Sequence, residues 1–177
     1  MAHRAFTAIL LVGAMGLSAC SNGGHFGRGG DQSPLDGGAY GAGAGGAAPG
    51  SAQDPTSPAY FQAAVGDRVL FPVDQSSLTV EARATLDGQA AWLANNGGYN
   101  ARIEGHADEQ GTREYNLALG ARRANAVQEY LISRGIAGAR VSTVSFGKER
   151  PLEVCSEEAC YAKNRRAVTV LQPALGS

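Results

Sequence analysis

The stretch Ala101-Arg102-Ile103-Glu104-Gly105-His106-Ala107-Asp108-Glu109-Gln110-Gly111-Thr112, together with the segment Glu114 to Arg134 that follows it, decides the fold. Ala101, Ile103 and Gly105 recur at every second position, the spacing that places residues on one face of a strand. A dense polar loop ends that alternation, and from Glu114 the period changes. Leu119, Val127 and Leu131 then fall on one side of a long helix, which Gly135 closes. A strand that feeds a helix through a polar loop is half of a strand–helix–strand unit, so a sheet covered by helices is expected.

The flanking sequence extends the same alternation. Arg68 to Val73 puts Val69, Phe71 and Val73 on one face of a strand, with Pro72 marking an edge or an end. Thr79 is placed to cap a helix with Glu81 in its first turn, and Ala82, Leu86, Ala90 and Leu93 recur at helical spacing. Asn95-Asn96-Gly97-Gly98 stops that helix. Val141 to Phe146 reads as a third strand and Ala167 to Leu171 as a buried fourth. The order predicts an α/β two-layer sandwich: a four-stranded mixed sheet with right-handed crossovers and helices packed on one face. This domain is expected over residues 59–172, followed by a short tail at 173–177.

The 177 residues carry 15 basic and 16 acidic side chains, a net charge of −1, which gives no long-range attraction to nucleic acid or an anionic membrane surface. Glycine is unevenly placed: 12 of the 25 lie between Ser21 and Pro58, where there is almost nothing to form a core. That segment is expected to be a disordered tether, spanning roughly 30–35 Å as a flexible coil. Ahead of it, Ala5 to Gly16 is apolar but too short for a bilayer core, which needs about 20 helical residues. It fits the apolar part of a secretory signal. Leu17-Ser18-Ala19-Cys20 then resembles the lipobox of bacterial lipoproteins. The resemblance implies a signal peptide over residues 1–19, cleavage before Cys20, and a lipidated Cys20 heading a tether that runs to residue 58. A large enzyme and a multi-pass membrane protein are excluded.

With Cys20 lipidated, Cys155 and Cys160 remain. An oxidising compartment would let them pair. A pair of free thiols and a metal site are the alternatives, although two Cys and His106 fall short of a four-ligand zinc cage. On paper His106 and Asp108 make a base and its orienter, or, with Glu109, a ligand set for a metal. No nucleophile elbow, His-Glu-x-x-His pair or phosphate loop accompanies them, so neither enzyme, metal nor cofactor is expected. Each residue also has a plain structural use: His106 as a hydrogen-bonding loop residue, Asp108 as a cap, the Arg pairs as solvated charges.

One resemblance covers nearly the whole folded part. Glu104-Gly105-His106-Ala107-Asp108-Glu109-x-Gly111-Thr112-x-Glu114-Tyr115-Asn116-x-x-Leu119-Gly120-x-Arg122-Arg123-Ala124 is similar to the signature of the OmpA-like peptidoglycan-binding domain. Ser145-Phe146-Gly147-Lys148-Glu149-Arg150-Pro151 and Lys163-Asn164-Arg165-Arg166-Ala167-Val168 extend the match. The lipobox and tether resemble the layout of that family's peptidoglycan-associated lipoproteins. The resemblance implies that Asp108 and Arg123 grip the meso-diaminopimelate of the wall's stem peptide. The chemistry suits the pairing, because the end of diaminopimelate is a zwitterion: a carboxylate meets its ammonium and a planar Arg fork its carboxylate. Thr112, at the start of the long helix, lies where main-chain N–H groups add donors. The wider set implied is Asp74, Val73, Asn116 and Arg166, with Val73 standing where the family carries an aromatic residue. Implied partners are peptidoglycan, TolB and other Tol-system proteins, and the outer membrane through the lipid. The implied function is anchoring of the outer membrane to the wall, with a role in division. The rivals are a wall-binding lipoprotein outside the Tol system and a periplasmic hydrolase using His106.

Overall fold

The computed structural model describes residues 48–174. The expected signal peptide, Cys20 and the tether up to residue 47 lie outside these residues. The chain runs through α1 (Pro58–Tyr60), a π-helical continuation (Phe61–Gly66), β1 (Arg68–Leu70), α2 (Val80–Asn95) and β2 (Tyr99–His106). It continues through α3 (Arg113–Ser133), a 3-10 turn (Gly138–Arg140), β3 (Val141–Gly147), α4 (Glu158–Asn164) and β4 (Arg166–Pro173).

The strands form one sheet in the order β1-β4-β2-β3. The α3 crossover returns the chain so that β3 lies parallel to β2, with Ala101 opposite Val141. β4 runs antiparallel between β1 and β2, pairing Arg166 with Leu70 and Thr169 with Ile103. Ala101 and Ile103 face the helices and are buried in one core with Leu86, Ala90 and Leu93 of α2 and Val127 and Leu131 of α3, while Gly105 lies against Gly120. Burying each large aliphatic side chain contributes about 1.5–3 kcal/mol. The alternate residues Arg102 and Glu104 point the other way and form a half-exposed ion pair at 2.7 Å. This is the mixed, two-layer α/β sandwich that the periodicity predicts.

Both long helices begin on a threonine. The Thr79 hydroxyl accepts from Ala82 N at 3.1 Å, and that of Thr112 from Tyr115 N at 3.2 Å. Gly135, at φ 95°, closes α3 as a left-handed residue favours. One contact fixes where α3 crosses the sheet. A Cβ on Gly105 would lie 1.9 Å from the carbonyl oxygen of Gly120, so the two backbones meet where neither residue has a side chain. That approach sets the 107–112 loop at the end of β2 and α3 beside it.

The structure departs from the sequence reading in four places. The first strand stops at Leu70 rather than Val73. Pro72 has no N–H for a ladder, and Phe71 N makes the last pairing, to Arg165 O at 2.9 Å. The chain then turns through Asp74, at φ 57°, and leaves Val73 exposed instead of facing inward with Val69 and Phe71. The segment assigned to the tether up to Pro58 is packed at its end: Trp92 Nε1 donates to Pro55 O at 2.7 Å, and Ser57 is buried. The turns from Pro58 to Gly66 were not expected, nor was α4. Phe61 is buried there against the Trp92 ring, 4.9 Å between centroids. Cys155 and Cys160 form a disulfide, Cα atoms 6.0 Å apart, across the turn into α4.

Candidate functional site

A cleft of about 290 Å³ opens between the 72–75 turn, the 107–112 loop and the first turns of α3. Val73, Asp74, Asp108, Gln110, Gly111, Tyr115, Asn116 and Leu119 line it. The turn brings Val73 and Asp74, the loop brings Asp108, and helical spacing brings Tyr115, Asn116 and Leu119 to one side of α3. Asn116 braces the loop from within: it is buried and its Nδ2 donates to Gln110 O at 2.6 Å. Lys148 Nζ holds the outer side by donating to Gly111 O at 2.7 Å.

Asp108 is 9% exposed. Its Oδ1 accepts from Gln110 N at 3.3 Å, and its Oδ2 from Arg165 Nη1 at 3.2 Å. Arg165 also donates from Nε to Phe71 O at 3.2 Å and grips Glu158 with Nη1 and Nη2. Burial opposes the Arg165 charge, but Glu158 and Asp108 outweigh it and raise its pKa. Arg123 is fully buried. Its guanidinium donates to three carbonyls: Gln75 O at 2.8 Å, His106 O at 2.8 Å and Pro72 O at 3.2 Å. The Phe71 ring lies 5.2 Å from the guanidinium carbon. Burial pulls the Arg123 pKa down to about 10, against the pull of Asp108. An Arg has five N–H donors, and three of them are engaged in this network behind the cleft wall.

Asp74 is exposed and its carboxylate accepts from the Tyr115 hydroxyl, which raises the Tyr115 pKa. Tyr115 thus supplies an aromatic surface beside Val73. Thr112 is at the rim, its hydroxyl engaged in capping α3, and Gly111 before it takes φ 89°. The structure therefore brings Val73, Asp74, Asp108 and Asn116 to one cleft, with Thr112 at its edge and Arg123 buried against its 72–75 wall.

Arg166 is elsewhere, which corrects the expectation for it. Its guanidinium donates to Asn164 O and Arg150 O and takes no part in the cleft. Arg165, one position earlier, reaches Asp108 instead, because successive residues at a strand start project to opposite sides. The Asn164-Arg165-Arg166 run marks the right place in the sequence but does not say which Arg turns inward. His106 is buried and faces the Phe146 ring at 5.5 Å, with Nδ1 unpartnered among the described residues. Burial lowers its pKa to about 4, with Arg166 and Arg150 adding to the effect. Glu109 accepts from Asn164 Nδ2 at 2.6 Å. His106, Asp108 and Glu109 thus point to different partners, and among the described residues no three His, Cys, Asp or Glu gather as a metal site.

The model of the OmpA family matches residues 70–165, which include the whole cleft. A curated relative in Rhizobium meliloti (strain 1021), named peptidoglycan-associated lipoprotein, is 56% identical over 138 residues, 78% of this chain and 75% of its own. A protein of the same name in Brucella melitensis biotype 1 is 51% identical over 141 residues, 80% of each chain. The crystal structure of the peptidoglycan-associated lipoprotein from Burkholderia pseudomallei is similar with a TM-score of 0.61 and 39% identity, over 68% of this chain and 98% of that one. The C-terminal domain of Helicobacter pylori MotB is similar in fold alone, with a TM-score of 0.57 at 18% identity, over 62% of this chain and 86% of that one.

Proposed function

The chain belongs to the OmpA family, and we propose that its domain binds peptidoglycan non-covalently in the Asp108 cleft, with meso-diaminopimelate as the gripped group. The observation that carries the reading is the arrangement at Asp108: a nearly buried carboxylate on a cleft wall, with the guanidinium of Arg123 held by three carbonyls close by. The ligand's side-chain ammonium goes to Asp108, with Asp74 as a second carboxylate at the mouth. Its carboxylate is assigned to the guanidinium of Arg123, behind the 72–75 wall. Gly111 and Thr112 supply main-chain donors at the rim, and Val73, Tyr115 and Leu119 cover the methylene chain. Arg166, away from the cleft, is left out of this assignment.

Binding and release complete the cycle, and no covalent step is involved. Among the described residues the buried, neutral His106 has no carboxylate orienter. The likeness to peptidoglycan-associated lipoproteins over three quarters or more of their length supports the wider assignment. In it Cys20 carries the lipid that holds the protein at the outer membrane, the Gly- and Pro-rich segment after it tethers the domain, and the domain faces the periplasm. TolB and other Tol-system proteins are its protein partners, and envelope constriction at division is the process served. Cosedimentation with purified walls tests the central part. Full-length protein should pellet with walls carrying meso-diaminopimelate and stay in solution with walls carrying lysine at that position. Equal pelleting with both would refute the assignment. For the anchor, Cys20→Ser should leave the outer-membrane fraction, and its retention there after a high-salt wash would count against lipidation.

A further inference from the structure

We propose that Glu158, held in place by the Cys155–Cys160 disulfide, is a positioning residue that sets how much negative charge Asp108 presents to the ligand's ammonium. The inference rests on the reading of the cleft as a diaminopimelate site. Arg165 serves two carboxylates at once. Its Nη1 is 3.2 Å from Asp108 Oδ2 and 3.4 Å from Glu158 Oε2, while its Nη2 is on Glu158 Oε1. The three charges sum to −1, so a cation arriving at Asp108 meets a net negative group. Without Glu158, Asp108 and Arg165 form a neutral pair. Arg165 is then free to take the Asp108 carboxylate with both of its terminal nitrogens, the two-point geometry an Arg fork prefers. The ligand's ammonium would have to displace it.

The inner pair is shielded from water, with side-chain exposures of 6% for Arg165 and 12% for Asp108, whereas Glu158 is 66% exposed. Glu158 is not among the residues that line the cleft, and it acts through the shared guanidinium. Its own placement depends on the local staple. α4 has seven residues, too few to be stable as an isolated helix, and its N-cap Glu157 makes no side-chain capping bond. The disulfide closes a loop from 155 to 160 that contains Glu158 itself. At the far end Asn164 accepts from Leu152 N at 2.7 Å and Glu153 N at 3.0 Å and donates to Glu109. α4 is thus fixed at both ends, and the stapled turn is wired to the two acidic residues of the cleft loop: through Arg165 to Asp108, and through Asn164 to Glu109.

The test is titration of full-length protein in a neutral detergent with a soluble stem peptide ending in meso-diaminopimelate, at low and high salt. Glu158→Gln should weaken binding about three- to tenfold at low ionic strength, as expected for one charge acting at short range through a half-wet site. The gap should shrink to about twofold or less near 0.5 M salt, because Glu158 is exposed to screening. A Cys155→Ser/Cys160→Ser double variant should shift binding the same way, because α4 loses its staple. An unchanged affinity in Glu158→Gln overturns the proposal. So does a loss that is the same at both salt concentrations, which would mark a packing role. Failure of the unaltered protein to bind the peptide would instead strike the cleft reading itself, before any variant is compared.

Discussion

Arg123 Nη1 donates to the main-chain oxygen of His106 at 2.8 Å, tying the middle of α3 to the last residue of β2 from a position closed to solvent. The same guanidinium holds the carbonyls on both sides of Val73-Asp74. One side chain therefore joins the sheet, the helix and the cleft wall, and its removal should be felt in stability as well as in binding.

Arg123→Ala should lower stability by about 3–5 kcal/mol, the usual cost of stranding buried polar partners. Arg123→Lys should recover only a minor part, since an ammonium cannot meet three carbonyls in a planar fork. Urea denaturation of the three proteins checks this. An Ala variant within about 1 kcal/mol of the parent would show that the carbonyls find other partners.

The Gly105–Gly120 crossing makes a sharper demand. A methyl on Gly105 meets backbone atoms, 1.9 Å from O and 2.7 Å from C of Gly120, and neither can swing away. Gly105→Ala should cost about 3 kcal/mol or more, at the high end for overpacking. Gly97→Ala, with nothing within 4 Å of the added carbon, should stay within about 0.5 kcal/mol of the parent. Thermal melts of the pair, set against the parent, measure the difference.

His106 sets a pH dependence. Its folded pKa, about 4, is below the ordinary 6.5 because burial disfavours the imidazolium. The unfolded chain thus binds a proton between these values that the folded chain does not. The stability that comes from keeping His106 neutral is complete above about pH 6.5 and is lost as the pH falls toward 4. His106→Phe should lose less stability than the parent between about pH 7 and pH 4.5. Ring resonances of His106 should remain those of a neutral imidazole down to about pH 5.

The disulfide closes a short loop, for which the chain-entropy formula gives about 2 kcal/mol. Cys155→Ser should therefore lower stability by roughly 1–2 kcal/mol. Thiol counting before and after reduction of purified protein should differ by two. Equal counts would show that the cysteines are not joined.

Much of this architecture is legible in residue spacing, and the rest is hidden for identifiable reasons. Thr79 and Thr112 mark their helix starts because a hydroxyl before a helical period has one obvious use. Ala101, Ile103 and Gly105 mark a half-buried strand by strict alternation. The Pro58–Gly66 turns sit at the end of a Pro- and Gly-rich run, and one buried side chain, Phe61, makes no period. α4 is equally silent, since Asn164 is its only buried residue. Within the cleft, Asp108 stands out by its place between strand and helix. Its partner Arg165 does not, because choosing between two adjacent arginines requires the strand register, which only the fold supplies.

The cleft's selectivity for a zwitterion is tested most directly by calorimetric titration of the full-length protein with two soluble stem peptides, one ending in meso-diaminopimelate and one in lysine. They differ by the single carboxylate assigned to Arg123. The lysine peptide should bind about 10-fold or more weakly, the usual cost of leaving a buried charged group without its partner. Asp108→Asn, which removes the ammonium's acceptor charge, should weaken both peptides. Equal affinity of the unaltered protein for the two peptides would contradict the assignment of the cleft.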